Sequence, residues 1–185
     1  MKRRRFLLLT AGLAGIAAVP LLLPQSRVRA VTEERLEAMK NQWRSLLPEN
    51  ADVSLSAESL SRSEAQWREQ LSAEAYHVLF EEGTEKPFSS PLNDEKRSGV
   101  YVCAACRLPL FTSAMKYDSG TGWPSFFTHI PDHLATKTDF KLIWPRTEYH
   151  CVKCGGHQGH VFEDGPEPTG QRWCNNGVAL HFIPA

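Results

Sequence analysis

A chain of 185 residues, 42% hydrophobic and 23% charged, is long enough to bury one core and has the composition of a globular domain with an appendage. Its 21 basic and 21 acidic residues are unevenly placed: the first 30 residues hold Lys2, Arg3, Arg4, Arg5, Arg27 and Arg29 and no acid, so the remainder carries 15 bases against 21 acids, a net of −6. A body of that charge offers no basic stripe to phosphate backbones, so nucleic acid is not an expected partner.

Residues 1–30 have the layout of an export signal: a basic start, an uncharged apolar run from Phe6 to Leu23, Pro24, and the small residues around Ala30 that would admit a signal peptidase. Arg3-Arg4-Arg5-Phe6-Leu7 resembles the twin-arginine type, which implies the twin-arginine translocation machinery as a partner and the periplasm as destination. The apolar run also has the length to span a bilayer, so an uncleaved segment would tether the protein to the membrane.

Residues 31–60 read as an amphipathic helix and a linker. Leu36, Met39, Trp43 and Leu46/Leu47 recur at helical spacing over Val31–Leu47, and Pro48 to Ser59 is polar. The main domain spans 61–185. It opens with Ser61-Arg-Ser-Glu64, which has capping-box spacing for a short helix. A second helix follows Ser72, carries Tyr76, Leu79 and Phe80 on one face and stops at Gly83. Beyond Pro87, strand-like runs take over at Val100–Cys103, Lys141–Trp144, Tyr149–Val152, His160–Phe162 and Val178–Ile183, separated by turn-rich segments. The expected fold is mainly β and antiparallel, with helices at its N-terminal side.

Four of the five cysteines form two pairs, Cys103-Ala-Ala-Cys106 and Cys151-Val-Lys-Cys154. A two-residue gap lets one tight turn aim two thiolates at one ion, and two such turns complete the tetrahedral four-sulfur site typical of structural zinc. The competing arrangement is two disulfides, which an exported protein could form, but adjacent C-x-x-C disulfides are strained and usually redox-active. Zinc is the expected occupant, one ion per chain.

Cys174 is left over. A lone cysteine is commonly a small buried apolar residue. Here Arg172 stands two residues away, where its charge can favour a thiolate, and Asn176 offers an amide on the other side. His157 and His160 follow the second cysteine pair directly; beside a nucleophilic cysteine such a pair can act as acid or base and donate hydrogen bonds. Trp123, between Gly122 and Pro124, sits on a stiffened turn and either walls a pocket or fills the core.

These pieces, in this order, resemble the methionine-(R)-sulfoxide reductase family from about Trp67 to Pro184. The residues that carry the likeness are Gly83-Thr-Glu-Lys-Pro-Phe88, Gly99-Val-Tyr-Val-Cys-Ala-Ala-Cys106, Tyr117-Asp-Ser-Gly-Thr-Gly-Trp-Pro-Ser-Phe126, His157-Gln-Gly-His-Val-Phe-Glu-Asp-Gly-Pro166 and Arg172-Trp-Cys-Asn-Asn-Gly177. The resemblance implies two antiparallel sheets, a tent-like fold clasped by zinc at Cys103, Cys106, Cys151 and Cys154, and reduction of methionine (R)-sulfoxide, protein-bound or free. It makes Cys174 the nucleophile that becomes a sulfenic acid, has His157, His160 and Asn176 hold and protonate the departing oxygen, and has Trp123 cradle the S-methyl group. Arg172 and Asp164 match positions that tune the thiol.

The sequence departs from the family pattern in several places. Thr121 stands where many relatives carry a recycling cysteine, which implies an external thioredoxin-like reductant. Trp173 replaces Tyr, Asn175 an apolar residue, Gly177 a Ser and Gln158 a Leu. A monomer is expected. Two other readings compete: a non-catalytic zinc-binding interaction module, and a one-cysteine peroxidase or redox sensor.

Overall fold

The computed structural model describes residues 25–140 and 145–185. The described strands form two antiparallel sheets. One contains β1 (Gly99–Cys103), β2 (Pro109–Thr112) and β9 (Leu180–Pro184) in the order β2-β1-β9. The other contains β3 (Lys116–Tyr117), β4 (Ser125–Phe126), β5 (Leu134–Asp139), β6 (Arg146–Cys151), β7 (His157–Phe162) and β8 (Arg172–Asn175) in the order β3-β4-β8-β7-β6-β5. The expected mainly β class with few short helices is what is found.

Strand β1 is apolar along its length because both of its faces are covered. Val100 and Val102 pack outward with Ile183 under Leu46, Leu47 and Val53, while Tyr101 and Cys103 turn into the main core. That core lies between the sheets and is built on aromatic pairs. The rings of Phe111 and Phe126 stack at 4.0 Å, Tyr101 meets Phe126 edge-on at 5.0 Å, and Tyr149 meets Trp173 at 4.9 Å.

Helix α1 (Gln25–Asn41) continues as a tight turn over Gln42–Leu46 that buries Trp43 against His133, with the two rings 5.6 Å apart. The expected helix at Val31 therefore exists, but its helical backbone already runs through Gln25. Residues 1–24 of the expected export signal lie outside the described residues. No helix among the described residues is long and apolar enough to cross a membrane.

The polar stretch after Pro48 has no regular structure, yet it is held against the domain. Ser54 N donates to Arg107 O, Leu60 N to Lys153 O, and Lys153 Nζ to the carbonyls of Ser56 and Glu58, so the segment straps across both cysteine turns. Its anchored end shifts the next helix. Helix α2 (Glu64–Gln70) is capped by Ser63 and Gln66, which bond reciprocally, two residues later than the expected Ser61–Glu64 box. The pattern occurs twice in register, and the Leu60 bond to Lys153 keeps the chain extended through the first copy. Helix α3 (Ala73–Glu81) begins at Ser72 as expected and ends in a left-handed Glu82. Phe80 stacks on Trp67 at 5.1 Å.

The strand expected at Lys141–Trp144 lies outside the described residues. β6 and β7 begin three residues before their expected starts, and the expected Val178–Ile183 run is a turn over Gly177–Ala179 followed by β9. β2, β3, β4, β5 and β8 were not expected: β3 and β4 are two residues long, β2 begins with a proline, and β5 is polar because it is an edge strand with one exposed side.

Candidate active site

Cross-strand register assembles one row of side chains across the large sheet. Lys137 pairs with Glu148, Glu148 with His160, His160 with Cys174, Cys174 with Ser125, and Ser125 with Tyr117. Directly opposed residues share a face, with Cβ atoms about 5 Å apart, so Cys174 has His160 on one side and Ser125 on the other.

His157 reaches the same place through an irregularity. On a regular strand, residues three apart point to opposite faces. Here Tyr149 pairs with Gly159 but His150 with His157, so β7 carries an extra residue, Gln158, and this bulge turns both imidazoles to one side with centroids 5.4 Å apart. His157 is buried, and its Nδ1 bonds Glu148 Oε1 at 2.9 Å. The other Glu148 oxygen lies 3.1 Å from Lys137 Nζ. His160 Nε2 bonds Asp139 Oδ2 at 2.9 Å, and Arg146 Nη2 donates to the same oxygen at 2.6 Å. Each ring is thus oriented by a buried carboxylate that is itself neutralised by a cation. Glu148, Asp139 and Arg146 were absent from the residues expected in the site. The alternation Arg146-x-Glu148 within a strand was the available signal, since it places both charges on one face.

A pocket of about 120 Å³ opens over this row, walled by Trp123, Arg146, His160, Phe162, Cys174 and Asn176. It is smaller than a cofactor cleft and suits the end of a side chain. Trp123 is half-buried, and its indole Nε1 donates to Glu85 O at 3.2 Å, which fixes the ring as a wall of the pocket. Asn176 is engaged at both ends: Oδ1 accepts from Glu85 N at 3.0 Å and Nδ2 donates to Gln158 O at 3.0 Å, leaving one Nδ2 hydrogen over. Glu85 also accepts from Gly177 N and Val178 N at 2.6 and 2.8 Å, so it clamps the turn that follows Cys174.

Arg172 holds Asp164 in a two-pronged bond of 2.8 and 2.9 Å and lies over the Phe162 ring at 4.2 Å. Burial pushes the Cys174 thiol above its ordinary value. The Arg172 charge and hydrogen bonding from Thr121 and Arg172 pull it back, and burial prevails. The thiolate-favouring influence of Arg172 is present but outweighed in the resting site. Burial also holds His160 below the ordinary imidazole value, against the Asp139 hydrogen bond. Near neutral pH the site therefore rests as a thiol beside an uncharged imidazole. Thr121 belongs to a chain of hydroxyls, with Ser119 Oγ 2.8 Å from both Thr121 Oγ1 and Ser125 Oγ.

All five cysteines are free. Cys103, Cys106, Cys151 and Cys154 place their sulfurs within 4.8 Å of one another, with Cys103–Cys154 at 3.6 Å and Cys106–Cys151 at 3.5 Å. These separations are too long for disulfides, and close to the roughly 3.8 Å edge of a tetrahedron with metal–sulfur bonds of about 2.3 Å. The donor set fits a metal ion, and it leaves no position for substrate.

A SelR domain model matches residues 71–184. The chain is 53% identical over 113 residues to a peptide methionine sulfoxide reductase MsrB of Methanosarcina mazei, covering 60% of this chain and 81% of that protein. It is 50% identical over 117 residues to an MsrB of Agrobacterium fabrum, covering 63% and 87%, and 49% identical over 118 residues to one of Hahella chejuensis, covering 63% and 85%.

Proposed function

Because the chain belongs to the SelR-domain family of peptide-methionine (R)-S-oxide reductases, we propose that it reduces methionine (R)-sulfoxide by oxygen transfer to Cys174. The observation that carries this reading is the pairing of Cys174 with His160 inside a small pocket walled by Trp123. The indole face receives the S-methyl group, and the sulfoxide oxygen lies toward the imidazoles and the remaining Asn176 amide hydrogen. A sulfoxide is a poor electrophile until its oxygen is protonated. As Cys174 Sγ approaches the substrate sulfur, the thiol proton passes through His160 to that oxygen. The substrate S–O bond breaks and a Cys174 S–O bond forms. The substrate sulfur is reduced by two electrons, Cys174 is oxidised by two, and the proton ends on the transferred oxygen of a sulfenic acid. A raised thiol value delays ionisation until the attack is under way and makes the sulfur more nucleophilic once it begins.

The four clustered cysteines would hold zinc, which ties the two turns together and lends the fold stability without entering the reaction. With Thr121 beside Cys174 and every other cysteine in the metal set, regeneration requires an external thiol of the thioredoxin type. Two thiol equivalents return Cys174 to its reduced form, releasing a disulfide and water. Residues 1–30 carry an export signal of the twin-arginine type, so the enzyme repairs oxidised exported proteins in the periplasm as a monomer. That route carries folded protein, which lets zinc load before the thiols meet oxidant.

Mass spectrometry of Cys174 after one equivalent of the R epimer, without reductant, tests the reaction. One added oxygen on Cys174 and one methionine released are expected. An intramolecular disulfide to Cys174, or unchanged turnover in Cys174→Ser with zinc retained, would defeat the reading. Hydrogen peroxide assayed beside both epimers separates it from a peroxidase, and fractionation of an Arg3→Lys/Arg4→Lys/Arg5→Lys variant, expected to stay in the cytoplasm, tests the export route.

A further inference from the structure

Two departures from the family pattern, Gln158 and Asn175, meet each other in the interior. Both are fully buried. Gln158 Nε2 donates to Cys103 Sγ at 3.4 Å, and Gln158 Oε1 accepts from Asn175 Nδ2 at 3.3 Å. Asn175 Oδ1 accepts from the Tyr149 hydroxyl at 2.8 Å, and Asn175 Nδ2 donates also to Asn176 O at 2.8 Å. The Gln158 main-chain oxygen receives Asn176 N at 2.9 Å and Asn176 Nδ2 at 3.0 Å. An unbroken polar path therefore runs from one sulfur of the cysteine cluster to the two residues that follow Cys174.

Burying two amides is costly unless each donor and acceptor is met, and an apolar pair would fill the same volume without that demand. A thiol sulfur is a weak acceptor, whereas a metal-bound thiolate carries the charge that an amide N–H needs. The Gln158 amide would therefore be met better at the sulfur end when Cys103 ligates a cation than when it is a thiol. The bulge of β7 explains how it gets there, since the extra residue is the one released from the ladder and turned inward.

We propose that Gln158 and Asn175 are positioning residues that tether the cysteine cluster to the catalytic strand, so that metal retention and Cys174 reactivity are coupled. This rests on the reading that the cluster holds zinc. The test uses the zinc-loaded full chain and its Gln158→Leu, Asn175→Val and doubly substituted variants. Three quantities are measured: zinc transfer to a chromogenic chelator, Cys174 alkylation in the loaded protein, and thermal stability. Gln158→Leu should release zinc about tenfold faster, the scale on which partners behind metal ligands act, and should change the alkylation rate while the metal is still bound. The double variant should regain most of the lost thermal stability, because an apolar pair leaves no amide unmet, yet keep the fast release. A double variant that also recovers slow release would show mere packing and overturn the proposal. So would one zinc per chain with unchanged release in Gln158→Leu. A wild-type chain that folds without zinc, takes none up when it is supplied, and leaves all four cluster thiols open to alkylation would instead overturn the metal reading together with it.

Discussion

Glu85 and Asn176 hold each other across 91 residues of sequence: the Glu85 main-chain N–H donates to Asn176 Oδ1 at 3.0 Å, while the Glu85 carboxylate takes the amides of Gly177 and Val178. The turn after Cys174 is thereby anchored to the segment that also receives the Trp123 indole, so Cys174 and the pocket wall share one support. Glu85→Ala leaves the buried Gly177 amide and the part-buried Val178 amide unmet and should cost about 1–3 kcal/mol of stability. It should lower kcat more than it raises KM, because the pocket remains while its alignment is lost. Chemical denaturation and steady-state kinetics on the R epimer check both.

Gly159 on β7 faces the Cys174 main chain on β8 with no room for a side chain. A Cβ there would lie 1.9 Å from Cys174 O, a contact that main chain cannot yield without moving Cys174. Gly159→Ala should destabilise the fold by about 1–3 kcal/mol, the usual range for overpacking, and abolish most activity. Near-wild-type kinetics with a retained melting temperature would show that β8 can shift freely.

The Cys174 thiol, raised by burial with Arg172 opposing, should alkylate along a pH profile whose midpoint lies above that of an ordinary thiol. Arg172→Ala should move the midpoint further up, since it removes a positive charge that favours the thiolate. A midpoint unchanged or lowered in that variant would contradict the balance described.

His129, His133, His150, His160 and His181 are each held below the ordinary imidazole value, first by burial. A base whose folded value is depressed binds its proton more readily when unfolded. The stability it contributes is fully present above the unfolded value of about 6.5 and is lost as pH falls through the folded one. The raised Glu85 acts in the opposite sense, binding its proton more readily when folded. With five imidazoles against one carboxyl, the urea midpoint should fall between pH 7 and pH 5, and His160→Gln should make that fall shallower.

The ingredients of this protein were legible in its sequence because they depend on local spacing. Two-residue gaps mark Cys103/Cys106 and Cys151/Cys154 as turns aiming paired sulfurs, and cysteine arithmetic isolates Cys174. The order of motifs from Gly83 to Gly177 identifies the family. What decides how they work is long-range pairing. Only the register of β6, β7 and β8 sets His160 opposite Cys174, and only a one-residue bulge brings His157 to the same side. Only burial, which depends on everything packed around a group, outweighs the pull of Arg172 toward a Cys174 thiolate. The carboxylates that orient the two imidazoles come from β5 and β6, and the clamp on Asn176 comes from the segment after α3. Neither strand pairing nor desolvation is a property of neighbouring residues, so both had to wait for the folded chain.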